Sequence, residues 1–240
     1  MTINAADLDS PITQAYIDAA KAAGHIAAGQ YLKHMSPAVV VLAAKNGFGL
    51  WLIDEGWGNA AVFARGAAGG ALDGRAAAAK MQALGAPEGT VVYFAIDYGA
   101  GASDLPAIQA YYAAYEKAAA PYRVGMYADG FIASAVSTEV GDYLPGASGW
   151  PGYADYAASG HVAILQHAEG SMFGFDTDPC EVRDTSVLWF PKAAAAAAVV
   201  APTPQSVLPS LGLAQIELGV AADGVWGPET AEAFARHYAS

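Results

Sequence analysis

Cysteine is all but missing: Cys180 is the one cysteine in 240 residues. That excludes an internal disulfide framework and any cysteine-built zinc ribbon. Cys180 follows Pro179 and lacks a sequence-level partner, so it reads as a structural buried thiol rather than a nucleophile. Charge is scarce as well, and basic charge scarcer still. Only 14% of residues are charged, with 11 Lys and Arg against 23 Asp and Glu, for a net charge of −12. Such a balance repels phosphate backbones and anionic membrane surfaces, so nucleic acid is not an expected partner. The 55% of hydrophobic residues is a packing composition and excludes disorder.

Other absences narrow the classes further. The longest uncharged stretch, between Lys192 and Glu217, is interrupted by Pro202, Pro204 and Pro209, so no membrane insertion is expected. The start, from Met1 to Asp9, has neither a basic n-region nor an apolar run. The expectation is synthesis in the cytoplasm without a signal peptide, any action outside requiring another route. No Gly-x-Gly-x-x-Gly follows the first strand, where Asp9-Ser10-Pro11-Ile12-Thr13 stands instead, which weakens a dinucleotide fold. No Gly-x-Ser-x-Gly elbow occurs. His25, His34, His161, His167 and His237 show no metal-ligand spacing, so neither metal nor cofactor is expected.

What is present is alternation. Candidate strands are His25–Leu32, Phe48–Glu55, Thr90–Asp97, Arg123–Ala128 and His161–Ala168, with weaker ones at Ile3–Asp9, Ala147–Trp150 and Met172–Asp178. Helical patterns over Ile12–Gly24, Ser36–Gly47, Ala71–Leu84, Ser103–Ala120 and Asp129–Val140 separate them. Ser36-Pro37 reads as an N-cap with Pro at the first helical position. The stripe Ile108, Tyr111, Tyr112 and Tyr115 reads as packing against the sheet. Strand–helix alternation means parallel strands, and up to eight of them in so short a body favour a compact (β/α)8 TIM-like barrel over an open sheet. The barrel is expected over residues 1–190, an Ala/Pro linker over 191–205, and a short all-α tail over 206–240.

In either architecture the site lies at the C-terminal strand ends. Those ends carry acids and aromatics: Asp7 and Asp9, Tyr31, Asp54 and Glu55, Asp97, Tyr127, Trp150, Gln166, and Asp176 with Asp178. A carboxylate closing a run as apolar as Val91-Val92-Tyr93-Phe94-Ala95-Ile96 costs several kcal/mol to bury unless it is paired or protonated. Acids converging on one rim would push their pKa values apart, as glycoside hydrolysis requires. Acids at strand ends also cap helices, and for Asp104, after Ser103 at a helix start, capping is the preferred reading.

The run Gly89-Thr90-Val91-Val92-Tyr93-Phe94-Ala95-Ile96-Asp97, preceded by Ala83-Leu84-Gly85-Ala86-Pro87, resembles a family of small glycoside-hydrolase-like TIM barrels of actinobacterial proteins and phage endolysins, distant relatives of family 25 lysozymes. Asp9-Ser10-Pro11-Ile12-Thr13, Gln30-Tyr31-Leu32, Tyr122-Arg123-Val124-Gly125-Met126-Tyr127 and Gln166 add weaker matches. The resemblance implies a lysozyme-like hydrolase of peptidoglycan glycan strands, with Asp97 and Glu55 as principal catalytic carboxylates and Asp9 and Asp178 assisting. Tyr31, Tyr127, Gln166, Trp150, Asp7 and Asp176 would contact substrate. One departure is Gly99, where the family commonly carries a second acid and family 25 lysozymes use a glutamate as proton donor. Either Glu55 supplies that proton or the barrel binds glycan without cutting it.

The tail run Asp223-Gly224-Val225-Trp226-Gly227-Pro228-Glu229-Thr230 resembles the turn of a three-helix peptidoglycan-binding module, with Asp223, Gly224, Trp226 and Thr230 as its wall-binding positions. Together these imply a phage-endolysin-like, monomeric lysin that reaches the wall after release from the host cytoplasm. A non-hydrolytic wall-binding barrel and a stem-peptide amidase or peptidase remain as alternatives.

Overall fold

A computed structural model describes residues 2–55, 59–136, 138–145, 150–167 and 170–192. The tail positions Asp223, Gly224, Trp226 and Thr230, and all of the linker after Lys192, lie outside the described residues. The barrel belongs to the first of the two units into which the chain divides, residues 1–200.

The strands are β1 (Ile3–Leu8), β2 (Ala27–Tyr31), β3 (Gly49–Asp54), β4 (Val91–Ala95), β5 (Arg123–Tyr127), β6 (Asp142–Leu144), β7 (Val162–Gln166), β8 (Gly170–Met172) and β9 (Phe175–Val182). The helices are α1 (Gln14–Ala22), α2 (Pro37–Asn46), α3 (Ala60–Phe63), α4 (Gly66–Ala83), α5 (Leu105–Ala119), α6 (Gly130–Ala135) and α7 (Tyr153–Ala157). From β1 to β7 each strand pairs in parallel with the next. Strand β9 then pairs antiparallel with both β7 and β1 and closes the barrel, so eight strands form its wall while β8 pairs with β9 outside it.

The closing strand corrects the expectation of an all-parallel ring. A parallel return needs a crossover of roughly a dozen residues or more. Between the ends of β7 and β9 the chain has only residues 167–174, and it spends them on the β8 hairpin. The hairpin turns on Phe173 and Gly174, both at positive φ (59° and 80°), the two-residue geometry that matches strand twist. Phe173 is held in that disfavoured conformation by edge contacts with Tyr16 and His25, centroids 6.2 and 5.5 Å away.

The sixth strand also lies elsewhere than expected. It is Asp142–Leu144, not Ala147–Trp150. Residues 146–149 lie outside the described residues, and Trp150 is half-buried in a bend that follows them. The parallel strands β1 to β5 and β7 fall within their predicted spans, whereas the expected strand Met172–Asp178 covers the end of β8, the turn and only the first half of β9, which runs on to Val182. Helix α2 begins as expected, Ser36 accepting the Val39 N–H, and ends on Gly47 at φ 57°. On α5, Ile108, Tyr111, Tyr112 and Tyr115 are all buried. Tyr111 and Tyr115 stack on Phe94 of β4 at 5.5 and 5.4 Å, so the stripe is packing.

Two apolar layers follow from the period of two along the strands. Leu50 and Leu52 of β3 face the helices with Leu8, Val92, Phe94 and Met126. Trp51 and Ile53 face the barrel interior with Tyr93, Ala95, Tyr143, Cys180 and Val182. Cys180 is buried, as expected of a structural thiol.

Candidate active site

The same alternation positions the acids. Trp51 and Ile53 point inward, so the next residue of that parity, Glu55, emerges at the mouth of the barrel. Tyr93 and Ala95 set Asp97 there in the same way. On β9, Val182 and Cys180 point inward, which puts Asp178 and Asp176 on the inner face. Because β9 runs antiparallel, its first residues lie at the mouth where the parallel strands end. Asp178 is therefore level with Asp7, its direct register partner. The expected acids thus meet at one rim, although Asp176 and Asp178 arrive at the start of an antiparallel strand rather than the end of a parallel one.

A hollow of about 490 Å³ lies at this mouth, lined by Asp7, Asp9, Tyr31, Glu55, Asp97, Gly170, Asp176, Thr177 and Asp178. Seven of the ten residues expected to act on or contact substrate line it. Tyr127, Gln166 and Trp150 are not among the lining residues. Gln166 is buried, and its amide is committed to the carboxylates. Nε2 donates to Asp178 at 2.8 Å and to Asp7 at 3.4 Å, while Oε1 accepts the Tyr127 hydroxyl at 3.0 Å. Gln166 and Tyr127 therefore position acids, where sugar contacts were expected of them. Trp150 is displaced with the sixth strand.

Each carboxylate sits in a different environment. Asp7 is 2% exposed, and burial pushes its pKa up to about 7 against the Tyr143 hydrogen bond that favours the ionised form. The Asp178 and Glu55 charges add to the rise. For Glu55, burial and then the Asp97 charge raise the carboxyl above its ordinary value, Asp9 adding to this while Lys33 and Tyr31 oppose it. Asp9 is exposed. Its slight burial acts upward but is outweighed by Lys33 Nζ at 2.7 Å and His34 Nε2 at 3.0 Å, which hold it below its usual range. Asp97 is exposed at the rim. The arrangement thus offers carboxyls inclined to keep a proton, Asp7 and Glu55, beside Asp9, a carboxylate held ionised.

Sequence reasoning missed Tyr143, Lys33, Gly170 and Thr177. Tyr143 is fully buried, and its hydroxyl donates to Asp7 across 136 positions of sequence and lies 3.3 Å from Cys180 Sγ. No local pattern signals that contact. Gly170 and Thr177 reach the mouth only through the hairpin. Gly99 is exposed, and a Cβ built there would meet nothing within 4 Å. Among the described residues no group of three or more His, Cys, Asp or Glu is arranged to hold a metal ion.

The sequence profile of the Rv2525c-like, glycoside hydrolase-like domain matches residues 11–178. The fold is similar to that of the Tat-secreted protein Rv2525c of Mycobacterium tuberculosis. In its HEPES complex the TM-score is 0.61 at 18% identity, over 75% of this chain and 94% of that one. In its L-tartrate complex the TM-score is 0.61 at 18% identity, over 77% and 96%. An uncharacterized B. stearothermophilus protein is similar at TM-score 0.53 and 18% identity, over 78% of this chain and all of that one. No curated protein sequence matches.

Proposed function

The chain belongs to the Rv2525c-like, glycoside hydrolase-like domain family, and from that membership we propose that its acid-lined mouth hydrolyses a β-1,4 bond in the glycan strands of peptidoglycan, as a phage endolysin does. The single observation that carries this reading is the pairing of Glu55 and Asp97 at one hollow. Glu55 has its carboxyl raised by burial and by the Asp97 charge, while Asp97 stands exposed. Glu55 gives its proton to the leaving glycosidic oxygen, and Asp97 serves as base toward water or as nucleophile at the anomeric carbon. Asp9, kept ionised by Lys33 and His34, adds negative charge that favours the protonated form of Glu55. Asp178 and Asp7 with Asp176 face the sugar, and Tyr31 offers it a ring. The monomeric chain, made in the host cytoplasm, acts after release, and its tail keeps the barrel near the polymer by effective concentration.

The test is release of reducing ends from purified peptidoglycan by the full chain. Glu55→Gln and Asp97→Asn should each lower the rate by about a hundredfold or more. Wild type that releases none overturns the hydrolytic reading. Gly99 favours a second reading, a barrel that binds glycan without cutting it, because no acid stands at that position. Co-sedimentation of wild type with peptidoglycan, without reducing ends, would decide for it.

A further inference from the structure

A second and larger hollow, of about 720 Å³, adjoins the acid mouth on the outer side of the barrel wall. Consecutive residues at the end of β3 divide the two. Asp54 faces outward and accepts the Tyr115 hydroxyl of α5 at 2.6 Å, while Glu55 borders both hollows. The floor is aromatic, with Phe63 set edge-on to Phe94 at 5.6 Å. Its walls are close-packed: a Cβ at Gly70 of α4 would lie 2.1 Å from the Tyr111 carbonyl oxygen of α5, and one at Gly74 2.4 Å from that of Tyr115.

The charges at this hollow differ from those of the chain as a whole. Lys33, Arg65 and Lys80 line it together with Asp54, Glu55 and Asp73, an even balance in a protein with only 11 basic residues against 23 acidic ones. Lys33 is tied to Asp9 of the mouth at 2.7 Å, and Arg65 is paired with Asp73. Lys80 is half-buried on α4 and forms no ion pair among the described residues. A lysine and an aromatic floor lining one hollow suit a carboxylate carried on a short, partly apolar group.

We propose that this hollow receives a short acidic peptide arm borne by the glycan held at the mouth, with Lys80 taking its carboxylate. The proposal rests on the glycan reading of the mouth and adds to it the substrate's appendage. Glu55 borders both hollows, so a peptide branching from a sugar whose scissile bond lies beside Glu55 starts next to this one. Asp54 accepts the Tyr115 hydroxyl and forms no ion pair with Lys80 among the described residues. Asp73 is occupied by Arg65 and by the Tyr111 hydroxyl.

The test is calorimetric titration of the full chain with N-acetyl-Ala-Glu as the probe. Wild type should bind it, Lys80→Glu should weaken binding at least tenfold, Lys80→Gln should fall between them, and Asp97→Asn should leave it unchanged. Circular dichroism of both Lys80 variants confirms the fold, and Lys80→Gln keeps the test decisive should Lys80→Glu lose it. No binding at about 10 mM probe, or binding indifferent to Lys80, overturns the proposal. Hydrolysis is read separately by reducing ends. Probe binding through Lys80 without reducing ends would sink the hydrolytic reading alone, and reducing ends without probe binding would sink this one alone.

Discussion

Asp7 of β1 and Asp178 of β9 are direct register partners across an antiparallel pair, and one amide group, Nε2 of Gln166, donates to both. Two carboxylates so placed repel each other, and the Asp178 charge contributes to the raised pKa of Asp7. Gln166 offsets that repulsion with a neutral donor and is itself oriented by the Tyr127 hydroxyl.

Replacing that donor by a third acid should make the repulsion visible. Gln166→Glu is expected to destabilise the fold at neutral pH by about 1–3 kcal/mol, the range for leaving buried polar groups unsatisfied. The deficit should shrink as pH falls and the cluster takes up protons. Chemical denaturation of both proteins at several pH values measures it. A deficit that stays constant with pH would show that Gln166 matters for packing rather than for separating charges.

The buried carboxyls also set the sign of the wild-type pH dependence. Asp7 is raised to about 7, and Asp54 and Asp142 to about 6, each chiefly by burial. In all three the folded pKa lies above the unfolded one, so the native state holds more protons between pH ~4 and pH ~7. Stability is therefore lost as pH rises through that window. Tm should be higher near pH 5 than near pH 8, the reverse of ordinary acid denaturation. For Asp7 the effect is on the order of 4 kcal/mol by linkage, and Asp7→Asn should flatten the slope. Calorimetric Tm values across the range, for wild type and Asp7→Asn, settle the matter. A profile that rises toward alkaline pH contradicts it.

Much of this site was legible because strands announce themselves. Val91–Ala95 is unbroken apolar sequence, and whatever follows such a run stands at the barrel's mouth. What escaped was nonlocal. The direction of β9 depends on the shortness of the connection after β7, so Asp178 was assigned to the right mouth for the wrong geometric reason. Strand β6 is three residues long and begins with Asp142, too short and too polar for a periodic signal. Helix α4 begins at Gly66, before the predicted start at Ala71, because Gly66, Gly69 and Gly70 read locally as breakers. Their lack of side chains lets α4 lie against the backbone of α5, a gain that only the tertiary fold reveals.

Gly29 of β2 is a position where a single methyl should fail. A Cβ there would stand 2.4 Å from Asp7 Cβ and 2.5 Å from the Trp51 ring. Both neighbours are buried inside the barrel and cannot swing away. Gly29→Ala is expected to cost about 1–3 kcal/mol through overpacking, and more if Asp7 loses its bond to Tyr143. Equilibrium urea denaturation reads this directly. A variant as stable as wild type would mean that the strands part more easily than their packing implies.

Gly99 is the opposite case, an exposed position with room to spare. It is not among the glycines at positive φ, and an added Cβ meets nothing within 4 Å, so an L side chain fits without strain. Gly99→Glu should therefore leave stability within about 0.5 kcal/mol of wild type, as exposed substitutions usually do. It also returns an acid to the place, two residues beyond Asp97, where the resemblance to lysozyme-like barrels puts a proton donor. If proton donation limits the reaction, the variant should release reducing ends faster than wild type by about tenfold or more. It should also rescue part of the loss caused by Glu55→Gln, since the two acids would serve one leaving group. The double variant Glu55→Gln/Gly99→Glu, assayed beside each single variant, separates the possibilities. Rescue assigns Glu55 the donor's role, whereas a gain in the single variant without rescue means that Glu55 acts otherwise.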